Sequence, residues 1–168
     1  MNPQSPDAAP DFDLRGYLLG TWAVERTLLD RSTGTRGTFT GVVRFTATDD
    51  DGGLRFREEG TVSWASVPGG PAGPAGTPFT GPASREYLLR PTGAPDTMDM
   101  FFPDGRPFHR IGFGARTGQD QHWCDPDTYR VTYTRTGPDD FRYEWDVTGP
   151  AKDQLLTSVL RRTADAAA

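Results

Sequence analysis

The chain has 168 residues, of which 35% are hydrophobic and 24% charged, with a formal net charge of −5 and a mean hydropathy of −0.61. That length fits one domain able to bury a real core. No apolar run approaches the roughly 18 residues of a membrane helix, and an acidic balance without a basic stripe argues against nucleic acid. Neither a membrane nor a nucleic acid is therefore expected as a partner. The first residues, 1–12, are rich in Pro, Asp and Ala and lack the basic and apolar regions of a secretory signal. They read as a disordered tail, as do residues 164–168, flanking a single domain over 13–163. Cys124 is the only cysteine, which suits a reducing, cytoplasmic setting.

In chain order, a short helical turn is predicted over Asp13 to Leu18, with Asp11 or Asp13 as N-cap. Short alternating runs separated by turn signals then dominate. Strands are predicted at Thr21–Asp30, Gly37–Ala47, Leu54–Ala65, Ser84–Pro91, Thr97–Phe102, Pro107–Ala115, Gln119–Cys124, Asp127–Thr136, Phe141–Thr148 and Gln154–Arg162. Turn chemistry falls between them at Ser32-Thr33-Gly34, Asp49 to Gly53, Pro103-Asp104-Gly105, Thr117-Gly118 and Gly137-Pro138-Asp139. Val67 to Pro82 is Pro/Gly-rich and reads as a loop, either a dispensable insertion or a lid over a barrel mouth. Nine or ten sequential strands with hairpin-length links predict an all-β, antiparallel up-and-down barrel, with a β-sandwich as the alternative.

Period-two alternation assigns faces. Trp22, Val24, Arg26 and Leu28 share one side of their strand, as do Phe39, Gly41, Val43 and Phe45 of the next. Leu54, Phe56, Glu58 and Val62 fall together, as do Tyr129, Val131 and Tyr133, and Phe141, Tyr143, Trp145 and Val147. The lumen should thus be aromatic, with Arg26 and Glu58 added. Aromatic walls with a few polar groups suit a small-molecule pocket; two charges in a dry core would instead have to pair with each other.

Chemically able side chains gather in His122-Trp123-Cys124-Asp125-Pro126-Asp127-Thr128-Tyr129, with the second histidine, His109, one strand earlier. His122 and Cys124 point the same way on a strand, as a chelating pair would, yet no metal-ligand spacing is present. Cys124 beside a histidine is the minimum for a thiolate nucleophile. His122, His109, Glu58, Asp127 and Tyr129 could also move protons around an aromatic lumen. Asp125-Pro126-Asp127 and Gly149-Pro150-Ala151-Lys152 equally make good turns.

Gly20-Thr21-Trp22 opens the first strand and Arg161-Arg162 closes the last. The pair resembles the lipocalin-like (calycin) barrels, in which such a tryptophan packs against an arginine of the final strand. A wider pattern comprises Tyr-Leu-Leu-Gly-Thr-Trp (17–22), Phe-Thr-Gly (39–41), Glu-Glu-Gly (58–60), Arg-Glu-Tyr (85–87), Phe-Pro-Asp-Gly-Arg-Pro-Phe-His (102–109), the 122–129 segment and Gly-Pro-Ala-Lys-Asp (149–153). Together these resemble an uncharacterised family of bacterial lipocalin-like proteins, a domain of unknown function, over about Leu14 to Arg162. The resemblance implies a barrel, with Trp22, Glu58, Asp104, Arg106, His109, His122, Cys124, Asp127, Tyr129, Trp145 and Lys152 as motif positions, and it brings no activity. The leading expectation is a barrel that binds a small, partly aromatic or amphipathic molecule, contacted by Arg26, Phe56, Glu58, His109, His122, Cys124, Tyr129, Tyr143 and Trp145. The alternatives are an acid–base enzyme (isomerase, dehydratase or cyclase) with His122 as base oriented by Asp127 or Glu58, and a metal- or haem-binding barrel. No cofactor and no oligomeric state is assigned.

Overall fold

The computed structural model describes residues 12–49, 51–65 and 79–164. One helix, α1 (Leu14–Leu18), precedes ten strands: β1 (Gly20–Asp30), β2 (Thr35–Ala47), β3 (Leu54–Trp64), β4 (Phe79–Pro91), β5 (Thr97–Phe101), β6 (Pro107–Gly112), β7 (Thr117–Cys124), β8 (Asp127–Arg135), β9 (Asp140–Thr148) and β10 (Asp153–Arg162). All pairings are antiparallel, and the sheet runs in the order β6-β5-β4-β3-β2-β1-β10-β9-β8-β7. Only β1 and β10, the chain's ends, meet out of sequence, so this is an up-and-down barrel and not a sandwich. The predicted tails fall outside the described residues, apart from residue 12 and residue 164.

The two outer strands, β6 and β7, lie side by side without a ladder between them. A Cβ on Gly118 would sit 2.1 Å from the Gly112 carbonyl oxygen, so only glycine allows the backbones to come that close. Further along this seam the Asp120 carboxylate accepts the Arg110 backbone N–H. A side-chain oxygen thereby replaces the carbonyl that a ladder would have supplied.

The helix closes one end. Asp13 caps it by accepting the Gly16 N–H at 3.0 Å, and Leu14 and Leu18 are fully buried beneath it. Trp22, also fully buried, donates its indole N–H to Leu18 O at 2.8 Å. Arg162 lies over the Trp22 ring, 4.2 Å from its centre, and donates to the carbonyls of Leu19 and Tyr17 at 3.0 and 2.7 Å. Of the two arginines that end the chain's last strand, Arg162 makes this contact.

Alternation along the strands holds. Val24, Phe39, Val43, Phe45, Phe56, Val131, Phe141, Val147 and Leu160 all point inward and are buried. Most strand ends fall within one to three residues of the expectation, with β6 ending at Gly112 and β7 starting at Thr117 inside an expected turn; two larger differences shape the site. β4 begins at Phe79, so residues 79–82 of the expected loop are strand, and the rest of it, residues 67–78, lies outside the described residues. The strand signal was hidden by Pro82. That residue sits opposite Thr61 of β3 in a stretch of β4 with no paired strand on its other side among the described residues, since β5 pairs only with Leu88–Pro91. A residue lacking an N–H is tolerated on such an edge.

The second difference is a β-bulge. Met100 pairs with His109 and Phe101 with Pro107, so Phe108 is an extra residue in β6. Simple alternation puts Phe108 outside with Arg110. The bulge turns it inward beside His109.

Candidate functional site

Mid-barrel, five strands contribute to a charged cluster. Arg26 of β1 forms a two-pronged pair with Glu58 of β3, Nη1 to Oε1 at 2.9 Å and Nη2 to Oε2 at 2.6 Å. Its Nε donates to Ser158 Oγ of β10 at 2.7 Å, and Nη2 also reaches the Tyr143 hydroxyl of β9 at 2.7 Å. Arg85 of β4 joins from the other side, with Nε 2.8 Å from Glu58 Oε1 and Nη2 donating to Tyr143 at 3.1 Å. Burial works against the Glu58 charge, but the Arg26 hydrogen bonds and the positive charges of Arg85 and Arg26 outweigh it and hold the carboxyl below the usual range. Arg26 and Glu58 are 6% and 2% exposed, whereas the Arg85 side chain retains 32% exposure and reaches the open part of the barrel.

The open end carries a chamber of about 280 Å³, whose walls include Tyr87, Phe108, His122, Tyr129 and Trp145 together with Arg85. Phe102, on the β5–β6 connection, and Phe108 stack at 4.6 Å and 15°. Phe108 in turn stacks on Trp145 at 5.3 Å and 13°. Behind these rings is a narrow cleft of about 20 Å³ reaching Phe56, His109, Tyr133 and Tyr143. Arg85, Tyr87, Phe108 and Trp145 line both spaces, so chamber and cleft adjoin. The chamber draws on the unpaired half of β4 and on the short β5–β6 hairpin, where the sheet is least complete.

His109 is buried, and its Nε2 is 2.7 Å from the Tyr133 hydroxyl. Burial, reinforced by the charges of His122 and Arg85 and opposed by Asp120, lowers its pKa to about 4, so the ring is neutral near pH 7. Burial likewise pushes the Tyr133 hydroxyl well above its ordinary value.

The structure gathers most of the expected residues. Arg26, Glu58 and Tyr143 meet in the charged cluster, while Phe56 and His109 line the cleft. His122, Cys124, Tyr129 and Trp145 line the chamber. Cys124 is exposed at its rim. His122 makes ring contacts with Phe102, Phe108 and Tyr129 and no hydrogen bond among the described residues. Neither carboxylate expected to orient it does so. Asp127, opposite Cys124 across the two-residue Asp125-Pro126 turn, pairs with Lys152 at 3.3 Å, and Lys152 also donates to Tyr129 at 3.1 Å. Glu58 is held by the two arginines. Asp104 and Arg106 pair with each other in the exposed β5–β6 turn.

The site residues that the sequence did not single out include Arg85, Tyr87 and Phe108. Arg85 and Tyr87 share a β4 face with Leu89, so alternation counted back from that buried leucine finds both. Phe108 carries no such signal, because only a bulge turns it inward. No group of three or more His, Cys, Asp or Glu able to hold a metal occurs among the described residues, so His109, His122 and Cys124 are not brought together as one there. No helix among them is long and apolar enough to cross a membrane.

Among solved structures, the chain is similar in fold to the S-type phycobiliprotein lyase CPES from Guillardia theta. The TM-score is 0.58 at 12% identity, with 90% of this chain and 92% of that chain covered. It is also similar to a protein of unknown function from the DUF3598 family of Nostoc punctiforme, with a TM-score of 0.55 at 10% identity, covering 92% of this chain and 51% of that one. At such identities the likeness establishes the barrel and nothing finer. No curated protein matches the chain. Residues 18–162 match the family of unknown function DUF6314, nearly the span over which the sequence motifs run, and the chain belongs to that family.

Proposed function

We propose that this barrel binds a small, partly aromatic or amphipathic molecule at its open end. The observation that carries the reading is the chamber of about 280 Å³, walled by aromatic rings and adjoining a buried charged cluster. Small-molecule sites are typically concave, mostly apolar and furnished with a few convergent polar groups. Phe108, Trp145 and Tyr129 would supply the apolar walls, and Arg85, His122 and the Tyr129 hydroxyl the polar contacts. A cytoplasmic setting, inferred from the single cysteine, belongs to the same proposal. The enzymatic alternative with His122 as base lacks support from an orienting group, since Asp127 and Glu58 are engaged with Lys152 and the arginines.

The test is titration with a panel of naphthalene- and indole-sized compounds by calorimetry, alongside native mass spectrometry of the purified protein. Saturable one-to-one binding, weakened about tenfold or more by Tyr129→Ala or Trp145→Ala, is expected from the loss of one buried aromatic wall. Absence of saturable binding across the panel, or binding that ignores both substitutions, overturns the reading.

A further inference from the structure

Among the described residues, two buried side-chain polar atoms lack a hydrogen-bond partner, Arg85 Nε and His109 Nδ1. Both residues line the same cleft of about 20 Å³, room for an oxygen atom or two. Arg85 Nε lies close to Glu58 Oε1, but its N–H is not directed at that oxygen.

The protonation of His109 follows from its neighbour. Tyr133 is buried, and among the described residues its hydroxyl hydrogen-bonds only His109 Nε2. The hydroxyl hydrogen is satisfied when it donates to Nε2, and a neutral ring then carries its proton on Nδ1. Two side chains that line one cleft thus each carry an N–H with no hydrogen-bond partner among the described residues. Unmet buried donors are costly.

Charge points the same way. The cluster holds two guanidinium groups against one carboxylate. Arg26 spends its bonds on Glu58, Ser158 and Tyr143, so the surplus positive charge falls to Arg85, the arginine that also borders the chamber. A chain of net charge −5 thus keeps an excess cation inside its barrel.

We propose that the ligand is an anion, a carboxylate carried on a small aromatic or amphipathic body, and that it binds head first. One carboxylate oxygen occupies the cleft, accepting from Arg85 Nε and His109 Nδ1, while the body lies in the chamber against Phe108 and Trp145. This rests on the binding reading above and adds the ligand's charge and orientation. Charge-assisted bonds from a guanidinium are the strong kind, and a neutral head group leaves the surplus charge unanswered.

The experiment compares two probes of the same shape, 2-naphthoate and 2-naphthylmethanol, by calorimetry at pH 7.5 against wild type and Arg85→Met. Wild type should favour the carboxylate by about ten- to a hundredfold, the range that one or two charge-assisted hydrogen bonds supply. Arg85→Met should erase that preference, read as the ratio of the two affinities and independent of how far each of them falls. The wild-type comparison stands even where the variant does not fold. Equal affinity of wild type for both probes, as a water-filled cleft would give, overturns the anion assignment and leaves the binding reading standing. So does a preference that survives Arg85→Met. Binding of neither probe counts against the chamber as a binding site, and the anion assignment falls with it.

Discussion

Arg26 and Glu58, 32 residues apart in the chain, meet inside the barrel through two hydrogen bonds of 2.9 and 2.6 Å. Neither charge reaches water, yet each has its partner in place, and Ser158 and Tyr143 take two further Arg26 donors. A buried pair of this kind contributes little net stability, but breaking it strands a charge. Glu58→Gln leaves Arg26 and Arg85 facing each other without a counter-charge. It should cost about 3–5 kcal/mol, read from the urea midpoint. Arg26→Met combined with Glu58→Met should cost less than the sum of the single changes, and a double-mutant cycle measures the coupling.

Stability should fall with acidity in two stages. The folded-state pKa of His109, about 4, lies below its ordinary value of 6.5. Between those values the unfolded chain takes up a proton that the folded one refuses, so stability declines as pH drops from 6.5 toward 4. The slope is about 1.4 kcal/mol per pH unit, or roughly 3 kcal/mol in all. Glu58 is depressed, so its contribution is complete above the ordinary carboxylate range and is lost as pH falls through its lower folded value. In His109→Gln the first stage should vanish and the second remain, as urea melts from pH 7.5 to 3.5 would show.

At the closed end, Arg162 ties the last strand to the first through the Trp22 ring and two carbonyls. Arg162→Ala should cost about 2–3 kcal/mol from the lost cation–π contact and the released carbonyls, lowering the melting temperature by about 4–12 °C for a chain of this size. Arg162→Lys should recover less than half, since a single ammonium cannot span both carbonyls while lying flat on the indole.

Phe108 separates cleft from chamber. Phe108→Ala should join the two spaces at a cost of about 2–3 kcal/mol for a half-buried aromatic. Affinity should then shift toward bulkier aromatic probes, such as anthracene-sized compounds, relative to naphthalene-sized ones. Competition between the two sizes checks this, and an unchanged size preference would show that the Phe108 ring does not limit the chamber.

The sequence by itself determined the barrel, nearly all its strand positions and most of its inner face. Those properties are local: turn residues mark strand ends, and the period of two assigns each side chain to a face whatever strand lies next to it. It also placed Arg26 and Glu58 inward, because each shares its strand face with residues too apolar to face water. Only the tertiary structure decided who meets whom. Lys152 took Asp127 away from His122 because the β7–β8 and β9–β10 turns come together at the mouth, a proximity no local pattern encodes. The bulge at Phe108 depends on the offset between two strands, and the surplus charge at Arg85 depends on three strands converging. Pairing between distant residues is set by how the sheet closes, and closure is a property of the whole chain.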